Sequence, residues 1–194
     1  MPSLTAYERR RDFRRTPEPR PAVPARPGRL YLIQKHRASA LHYDFRLEVD
    51  GVLRSWSVPK GPSLDPKTKR LAIAVEDHPV AYGSFEGVIP APGYGAGTVM
   101  LWDTGSYEPE EDPARALRTG SLSFVIRGRK LRGGWSLVRT RSPRSWLLIK
   151  KRDRWASTED IAVKRPRSVR SRRLLAGIAR DEGGDVAKAA TGDP

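Results

Sequence analysis

Two of the three histidines in the chain and one aspartate, His36, His42 and Asp44, lie within a single short stretch. If residues 43–49 form a strand, its two-residue period places His42, Asp44 and Arg46 on one face. Imidazole and carboxylate together suit a divalent metal such as Mn, Zn, Fe or Co, and such a site needs about three ligands. His36 supplies the third ligand if the chain turns back between the two histidines. The stretch therefore predicts a metal site beside a guanidinium that can bind phosphate oxygens.

Three local features have more than one interpretation. His42 and Asp44 also suit a hydrogen-bonded pair on a solvated sheet face. His78, after a predicted strand at residues 71–75, is open to the roles of fourth ligand, general acid or phosphate contact, and equally to that of a turn residue. The glycine-rich residues 93–97 lack the Lys-Ser/Thr ending and following helix of a nucleotide-binding loop, which favours a bend between strands.

Short apolar runs separated by turn residues must position these side chains. Asp50-Gly51, between two alternating runs, predicts a tight hairpin. The pattern predicts an all-β, mainly antiparallel fold: a single β-barrel of about eight strands with one or two short helices and extended basic tails. One helix is expected near residues 112–118. The strands are expected at residues 29–34, 43–49, 52–58, 71–75, 98–102, 121–126, 134–139 and 145–150.

The barrel domain is expected to span residues 30–156, between two tails of different composition. Residues 1–29 hold six of the 17 prolines, and this Pro/Arg-rich arm is expected to run extended or polyproline-like rather than helical. Residues 157–194 form a basic segment for which we expect disorder.

Composition narrows the class of protein. The 194 residues include 37 Lys+Arg against 22 Asp+Glu, a formal net charge of +15, distributed as +5, +7 and +3 over residues 1–29, 30–151 and 152–194. Such a field attracts polyanions, above all nucleic acid. The chain has no cysteine, which excludes disulfides and thiolate metal sites. No apolar run approaches the ~20 residues of a membrane span, and the N-terminus does not resemble a secretory signal.

Several sequence blocks, in order along the chain, resemble the 3′-phosphoesterase domain of bacterial DNA ligase D over roughly residues 7–156. No polymerase or ATP-dependent ligase region is present, so the chain resembles a stand-alone form of that domain. The blocks are Gln34-Lys35-His36, LHYDFRLE at 41–48, SWSVPKGPS at 55–63, EDHP at 76–79, FEG at 85–87, YGAG at 94–97 and LLIKK at 147–151.

The resemblance implies a manganese-dependent β-barrel enzyme, with Co²⁺ or Zn²⁺ as alternative metals. It implies removal of 3′-terminal ribonucleosides (phosphodiesterase) and of 3′-phosphates (phosphomonoesterase), leaving a 3′-OH for ligation in non-homologous end joining. The implied partners are DNA 3′ ends, with a separate DNA ligase, a polymerase and a Ku-type end-binding protein as further candidates. The implied location is the prokaryotic cytoplasm, in association with the nucleoid and without a membrane.

The resemblance also assigns site residues by motif position. His36, His42 and Asp44 match the Mn²⁺ ligands. Five residues match phosphate-binding positions, namely Arg46, His78, Tyr82, Lys60 and Arg70. Further functional positions are matched by Gln34, Ser55 and Glu76, and in the arm by Asp12 and Glu18 together with Arg11.

Two other functions fit parts of the pattern. A DNA-end-binding or adaptor module would keep the fold without catalysis. His42, Asp44 and the distal His78 also mimic the two-histidine-one-carboxylate triad of β-barrel iron oxygenases. Against the oxygenase interpretation, nothing near His78 offers the downstream arginine that would bind an oxo-acid cosubstrate, and the basic charge favours a polyanionic substrate.

Overall fold

The computed structural model describes residues 3–194. Over this range the chain forms ten strands, five short α-helices and a 3-10 helix at Val80–Ser84. The strands are β1 (Leu30–Arg37), β2 (Leu41–Val49), β3 (Val52–Val58), β4 (Arg70–Ala74), β5 (His78–Pro79), β6 (Gly87–Ile89), β7 (Gly97–Pro109), β8 (Ser121–Gly128), β9 (Arg132–Arg139) and β10 (Ser145–Lys150). The helices are α1 (Thr5–Arg9), α2 (Pro113–Thr119), α3 (Ile161–Lys164), α4 (Leu175–Asp181) and α5 (Val186–Ala190).

Eight antiparallel strands close into a barrel, which confirms the predicted fold class. The order is β1-β2-β3-β4-β10-β9-β8-β7, and β7 pairs back with β1. The short strands β5 and β6 pair with β3 and β7 from outside the ring. β7 extends well beyond the predicted residues 98–102 because β1 pairs along one of its edges while β6 and β8 share the other.

Local signals place the first hairpin and one helix where the sequence predicts them. Asp50 and Gly51 both have positive φ, 51° and 78°, in the turn between β2 and β3. Such a turn favours Asn, Asp and Gly. Helix α2 begins after Asp112, whose carboxylate accepts a hydrogen bond from the Arg115 amide at 2.6 Å. This N-cap and Pro113 in the first turn define the start of the helix.

Alternation along β2 separates the core from the functional face. Phe45 and Leu47 are buried in the main apolar core. Asp44 and Arg46 point the other way, as expected for a two-residue period. They are nevertheless buried, and Arg46 is only 2% exposed. The outer face of β1–β3 is therefore covered.

The N-terminal arm supplies part of that cover. Tyr7 and Tyr82 join Leu32 and Leu53 in a second apolar cluster, distinct from the main core. The Tyr7 hydroxyl donates to the Pro19 carbonyl at 2.6 Å, which ties the start of the arm to its proline-rich part. The prediction of an arm without helix is wrong for α1, because the closely spaced prolines begin only at residue 17.

The C-terminal segment also differs from the predicted disordered tail. Leu175, Ile178 and Ala179 share one face of α4 and belong to the same apolar cluster as the barrel core. The Asp193 carboxylate accepts hydrogen bonds from the amides of Leu175 and Ala176, each at 2.9 Å, at the start of that helix. The spacing of 3 and 4 residues between these apolar side chains is typical of an amphipathic helix, although the segment as a whole is rich in polar residues. Within residues 3–194 no helix has the length and apolar character needed to cross a membrane.

We expect Ile178→Ala to lower the free energy of unfolding by about 3 kcal/mol, because it removes buried methyl groups and leaves a cavity. The matched control is Val163→Ala, at a 59% exposed position on α3, for which we expect a change below about 0.5 kcal/mol. Urea unfolding monitored by tryptophan fluorescence measures both. Equal effects of the two substitutions would contradict the packing of α4 on the barrel.

Candidate metal centre and phosphate site

The ligand trio of the sequence comes together at the turn end of the β1–β2 hairpin. His36 and His42 are directly opposite each other in the register of the two strands, with ring centroids 4.8 Å apart. Asp44 Oδ2 lies 3.7 Å from His36 Nδ1, and Asp44 Oδ1 lies 3.6 Å from His42 Nε2. One ligand atom from each of the three residues lies within 4.8 Å of the other two.

The donor set fits a divalent transition metal. The second nitrogen of each ring faces a backbone carbonyl: His36 Nε2 is 2.8 Å from the Gly95 oxygen, and His42 Nδ1 is 3.1 Å from the Ala40 oxygen. Since a carbonyl can only accept, we assign the ring protons to these nitrogens, which leaves lone pairs on the two that face Asp44. Burial disfavours the charged form of Asp44, but the positive charge of Arg46 acts against it, and the pKa of Asp44 lies well below the usual range. Two imidazole nitrogens and a carboxylate therefore converge.

Arg46 lies beside the trio and is held in one orientation. Its Nε donates to Gln34 Oε1 at 2.9 Å, and its Nη1 donates to Ser55 Oγ at 2.7 Å. Nη1 also lies 3.1 Å from His78 Nδ1, and Nη2 lies 3.3 Å from Asp44 Oδ2. A buried guanidinium next to the ligand trio is suited to binding a phosphate oxygen.

Gln34 on β1 and Tyr82 on the 3-10 helix both support Arg46. The Gln34 amide donates to the carbonyls of Tyr82 and Phe85, at 3.0 and 2.9 Å, while its oxygen accepts from Arg46. The Arg46 guanidinium lies 5.0 Å from the Tyr82 ring centroid. Burial raises the pKa of Tyr82 well above its usual value, so this phenol stays neutral.

His78 is a neutral group between two guanidiniums. Burial, followed by the charges of Arg46 and Arg11, lowers its pKa well below the usual value. Arg11 Nη2 lies 3.4 Å from His78 Nε2, and the Glu76 carbonyl lies 2.9 Å from Nδ1. Among the described residues, the ligand trio does not include His78. The oxygenase alternative assigned its second histidine to His78, whereas the structure brings His36 to His42 and Asp44 instead.

The arm contributes Arg11 to the wall of the cavity at the ligand trio. Arg11 Nε donates to Glu18 Oε1 at 2.8 Å, and both side chains are buried. The Arg11 guanidinium lies 3.8 Å from the Tyr7 ring centroid, and its Nη1 lies 3.5 Å from Glu76 Oε1. The arm therefore reaches the cavity through Arg11, which Glu18 holds in place, and a functional role for Glu18 stays a prediction.

Three other predicted site residues lie apart from the trio. Lys60 is exposed in the turn after β3, Arg70 begins β4 opposite Leu148, and Asp12 is exposed with its carboxylate paired to Arg14 at 3.1 Å. Over residues 3–194, none of the three lines the cavity at the ligand trio, and no hydrogen bond or ion pair joins them to it.

Sequence reasoning missed Tyr7, Arg10 and Tyr94. Arg10 Nη1 donates both to Glu76 Oε2 and to the Tyr94 hydroxyl, each at 2.8 Å. Tyr94 and Arg11 help to line a cavity of about 320 Å³ that contains the whole ligand trio. The sequence signals for Tyr94 were its position in the glycine-rich stretch and in the YGAG block at 94–97. No periodicity relates the arm to the barrel.

Barrel and site together define a class: a small antiparallel β-barrel with an external cluster of two histidines and one aspartate that could hold a metal, beside the buried guanidiniums of Arg46 and Arg11. Residues 34–139 match the family model described as the DNA Ligase D 3′-phosphoesterase domain. The chain belongs to this family.

Curated relatives agree with this assignment. The chain is 52% identical, over 90% of its length, to a multifunctional non-homologous end joining protein LigD of Pseudomonas aeruginosa. It is 46% identical over 74% of its length to a LigD of Mycobacterium tuberculosis, and 40% identical over 82% to one of Mycolicibacterium smegmatis. The chain spans about a fifth of the length of these relatives, 22%, 19% and 22% respectively. The 90% coverage extends the first match into residues 157–194.

We expect Mn²⁺ to bind the protein at one site and Asp44→Asn to weaken that binding at least tenfold, because the substitution removes the anionic ligand. Isothermal titration calorimetry measures the affinity. Glu108→Gln, at an exposed carboxylate that pairs with Arg127, is the control and should leave the affinity unchanged. Unaltered Mn²⁺ binding by Asp44→Asn would rule out the trio as the metal centre.

Substitutions of two carboxylates in the arm should differ in their effect on stability. Glu18→Ala leaves Arg11 without its closest buried partner and should lower the free energy of unfolding by about 3 kcal/mol. Asp12→Ala breaks an exposed pair with Arg14 and should leave the free energy of unfolding essentially unchanged. Chemical denaturation measures both, and limited trypsin digestion should release the arm only from Glu18→Ala.

Proposed function

We propose that the chain is a Mn²⁺-dependent DNA 3′-phosphoesterase that trims 3′ ends for ligation in non-homologous end joining. The observation that carries this proposal is the buried Arg46 guanidinium, fixed within 3.3 Å of a carboxylate of the ligand trio in a cavity shared with His78. Membership in a 3′-phosphoesterase family supports the reaction class.

Two linked reactions follow from this assignment. In the phosphodiesterase step, water adds across the bond between phosphorus and O5′ of a 3′-terminal ribonucleoside. The nucleoside leaves with a 5′-hydroxyl and the strand keeps a 3′-phosphate. In the phosphomonoesterase step, water adds across the bond between phosphorus and O3′, which releases inorganic phosphate and leaves a 3′-OH.

His36, His42 and Asp44 hold the metal, which when bound neutralises phosphate charge and orients the nucleophile. Arg46 adds a positive charge beside the trio. Because the protein already holds its guanidinium in one orientation, little reorganisation is needed when the substrate binds. We assign His78 to the phosphate as a further polar contact, because its ring lies in the same cavity and its Nδ1 is 3.1 Å from Arg46 Nη1.

The arm adds cationic charge to the same wall. Arg11 lies against His78 and is itself positioned by Glu18 and Glu76. A second guanidinium on the far side of the imidazole extends the positive potential around the phosphate. Since the surroundings are buried, this charge is screened less than it would be at the surface.

The wider setting of the reaction is also a proposal. The net charge of +15 favours a DNA substrate. The relatives are named as non-homologous end joining proteins. We infer that a separate DNA ligase, a polymerase and a Ku-type end-binding protein act with this chain, in the bacterial cytoplasm at the nucleoid. Lys60 and Arg70, which lie outside the cavity, are assigned to more distant phosphates of the DNA strand.

A 5′-labelled primer-template with one 3′-terminal ribonucleotide tests the reaction. With Mn²⁺ we expect a product one nucleoside shorter, ending first in phosphate and then in hydroxyl. Without the metal, and with Asp44→Asn, we expect no product. Specific DNA binding with no Mn²⁺-dependent product would instead indicate a non-catalytic end-binding module.

Arg46→Lys should reduce the rate of both steps by about 10²- to 10³-fold, because an ammonium cannot reproduce the fixed guanidinium contacts. Arg127→Lys, at an exposed position paired with Glu108, is the matched control and should retain the wild-type rate. Single-turnover kinetics with saturating protein separate this effect from weaker DNA binding. Equal rates for the two variants would show that Arg46 does not bind the phosphate.

A further inference from the structure

A second cavity adjoins the cavity of the metal ligands. It has a volume of about 360 Å³, against about 320 Å³ for the cavity that contains the ligand trio. Arg11, Ile89 and Tyr94 line both, so the second cavity begins where the first ends. The two cavities are therefore adjacent across these three side chains.

The two sides of this second cavity differ in chemistry. The loop that follows β6 lines one side with apolar residues, Ile89 and 90–92. The arm lines the other side with Arg10, Asp12, Arg15 and Thr16. An apolar wall opposite polar and charged groups suits a flat base joined to a hydroxylated sugar, and the volume falls in the range of ~300–1,000 Å³ typical of small-molecule sites. Asp12, which has no place in the metal cavity, lies here.

Tyr94 presents a fixed aromatic ring at the boundary between the two cavities. Its side chain is 48% exposed. The hydroxyl accepts a hydrogen bond from Arg10 at 2.8 Å, and the same guanidinium lies 4.7 Å from the ring centroid. Arg10 is held in turn by Glu76 at 2.8 Å. An exposed aromatic ring with a restrained orientation is a stacking surface for a nucleobase.

We propose that the second cavity is the subsite for the 3′-terminal nucleoside that the phosphodiesterase step releases, with its base stacked on Tyr94. This inference rests on the proposed function and extends it to substrate selection. A strand with a terminal ribonucleoside continues beyond the phosphate at the metal centre, whereas a strand with a 3′-phosphate ends there. The subsite therefore contributes to the first reaction and is empty in the second.

The ratio of two specificity constants tests the subsite. We compare kcat/KM for removal of a terminal ribonucleoside with kcat/KM for removal of a 3′-phosphate, on the same primer-template. Tyr94→Ala should lower this ratio about tenfold, because loss of the ring removes base stacking. Tyr94→Phe keeps the ring and should hold the ratio within about twofold of wild type. Trp155→Ala, at a 37% exposed aromatic on another part of the surface, is the control and should leave the ratio unchanged.

A binding measurement separates this inference from the proposed function. The 3′-terminal ribonucleotide is replaced by its 2-aminopurine analogue, whose fluorescence falls on stacking, and binding is followed without added metal. Quenching by wild type and Tyr94→Phe, but not by Tyr94→Ala, supports the subsite even if no turnover occurs, in which case the proposed reaction alone fails. Turnover by wild type without quenching overturns the subsite and leaves the reaction standing. The subsite is also overturned if Tyr94→Ala slows both reactions equally, or if Tyr94→Phe lowers the ratio of the two kcat/KM values as much as Tyr94→Ala does.

Discussion

The register between β1 and β2 is the constraint on which the site depends. It places His36 opposite His42 and Gln34 opposite Asp44, so two adjacent strands present their polar side chains to one outer surface. A slip of one residue would turn the polar side chains of one strand into the barrel and its apolar side chains out. The apolar core enforces the register, since Phe45 can pack against the interior only when Asp44 points outward. The same strand register is thus required both for packing inside the barrel and for the placement of the metal-ligand residues outside it.

Burial of a charged network on the outer face of the barrel follows from that arrangement. An isolated guanidinium or carboxylate would be costly to remove from water, so Arg46 and Asp44 need partners on every side. Ser55 and Gln34 provide them as neutral hydrogen-bonding groups, which orient Arg46 without neutralising it. The positive charge that remains is the property a phosphate site needs. Its protein contacts are complete before a substrate arrives, so little reorganisation accompanies binding.

The arm and the loop after β6 cover part of the outer face of the barrel and complete the walls of the site. Tyr7 anchors the arm in an apolar cluster on the outside of the barrel. Arg11 and Arg10 then reach the site and the loop, where they meet Glu76 and Tyr94. The excess positive charge therefore lies in different parts of the structure. Part of the charge of the arm is buried at the site. The basic C-terminal segment instead packs on the barrel, where Arg173 pairs with Asp181 at 2.8 Å.

The sequence by itself determined the eight barrel strands, the clustering of His36, His42 and Asp44, and the family, because alternation and motif spacing are local properties of the chain. His42, Asp44 and Arg46 share a strand, so a two-residue period suffices to align them. Only the tertiary structure decided what covers this face. The contact between Arg11 and His78 joins residues 67 positions apart in the chain, and that between Arg10 and Tyr94 joins residues 84 apart. Such contacts depend on how the arm packs against the closed barrel, and no local periodicity encodes that packing.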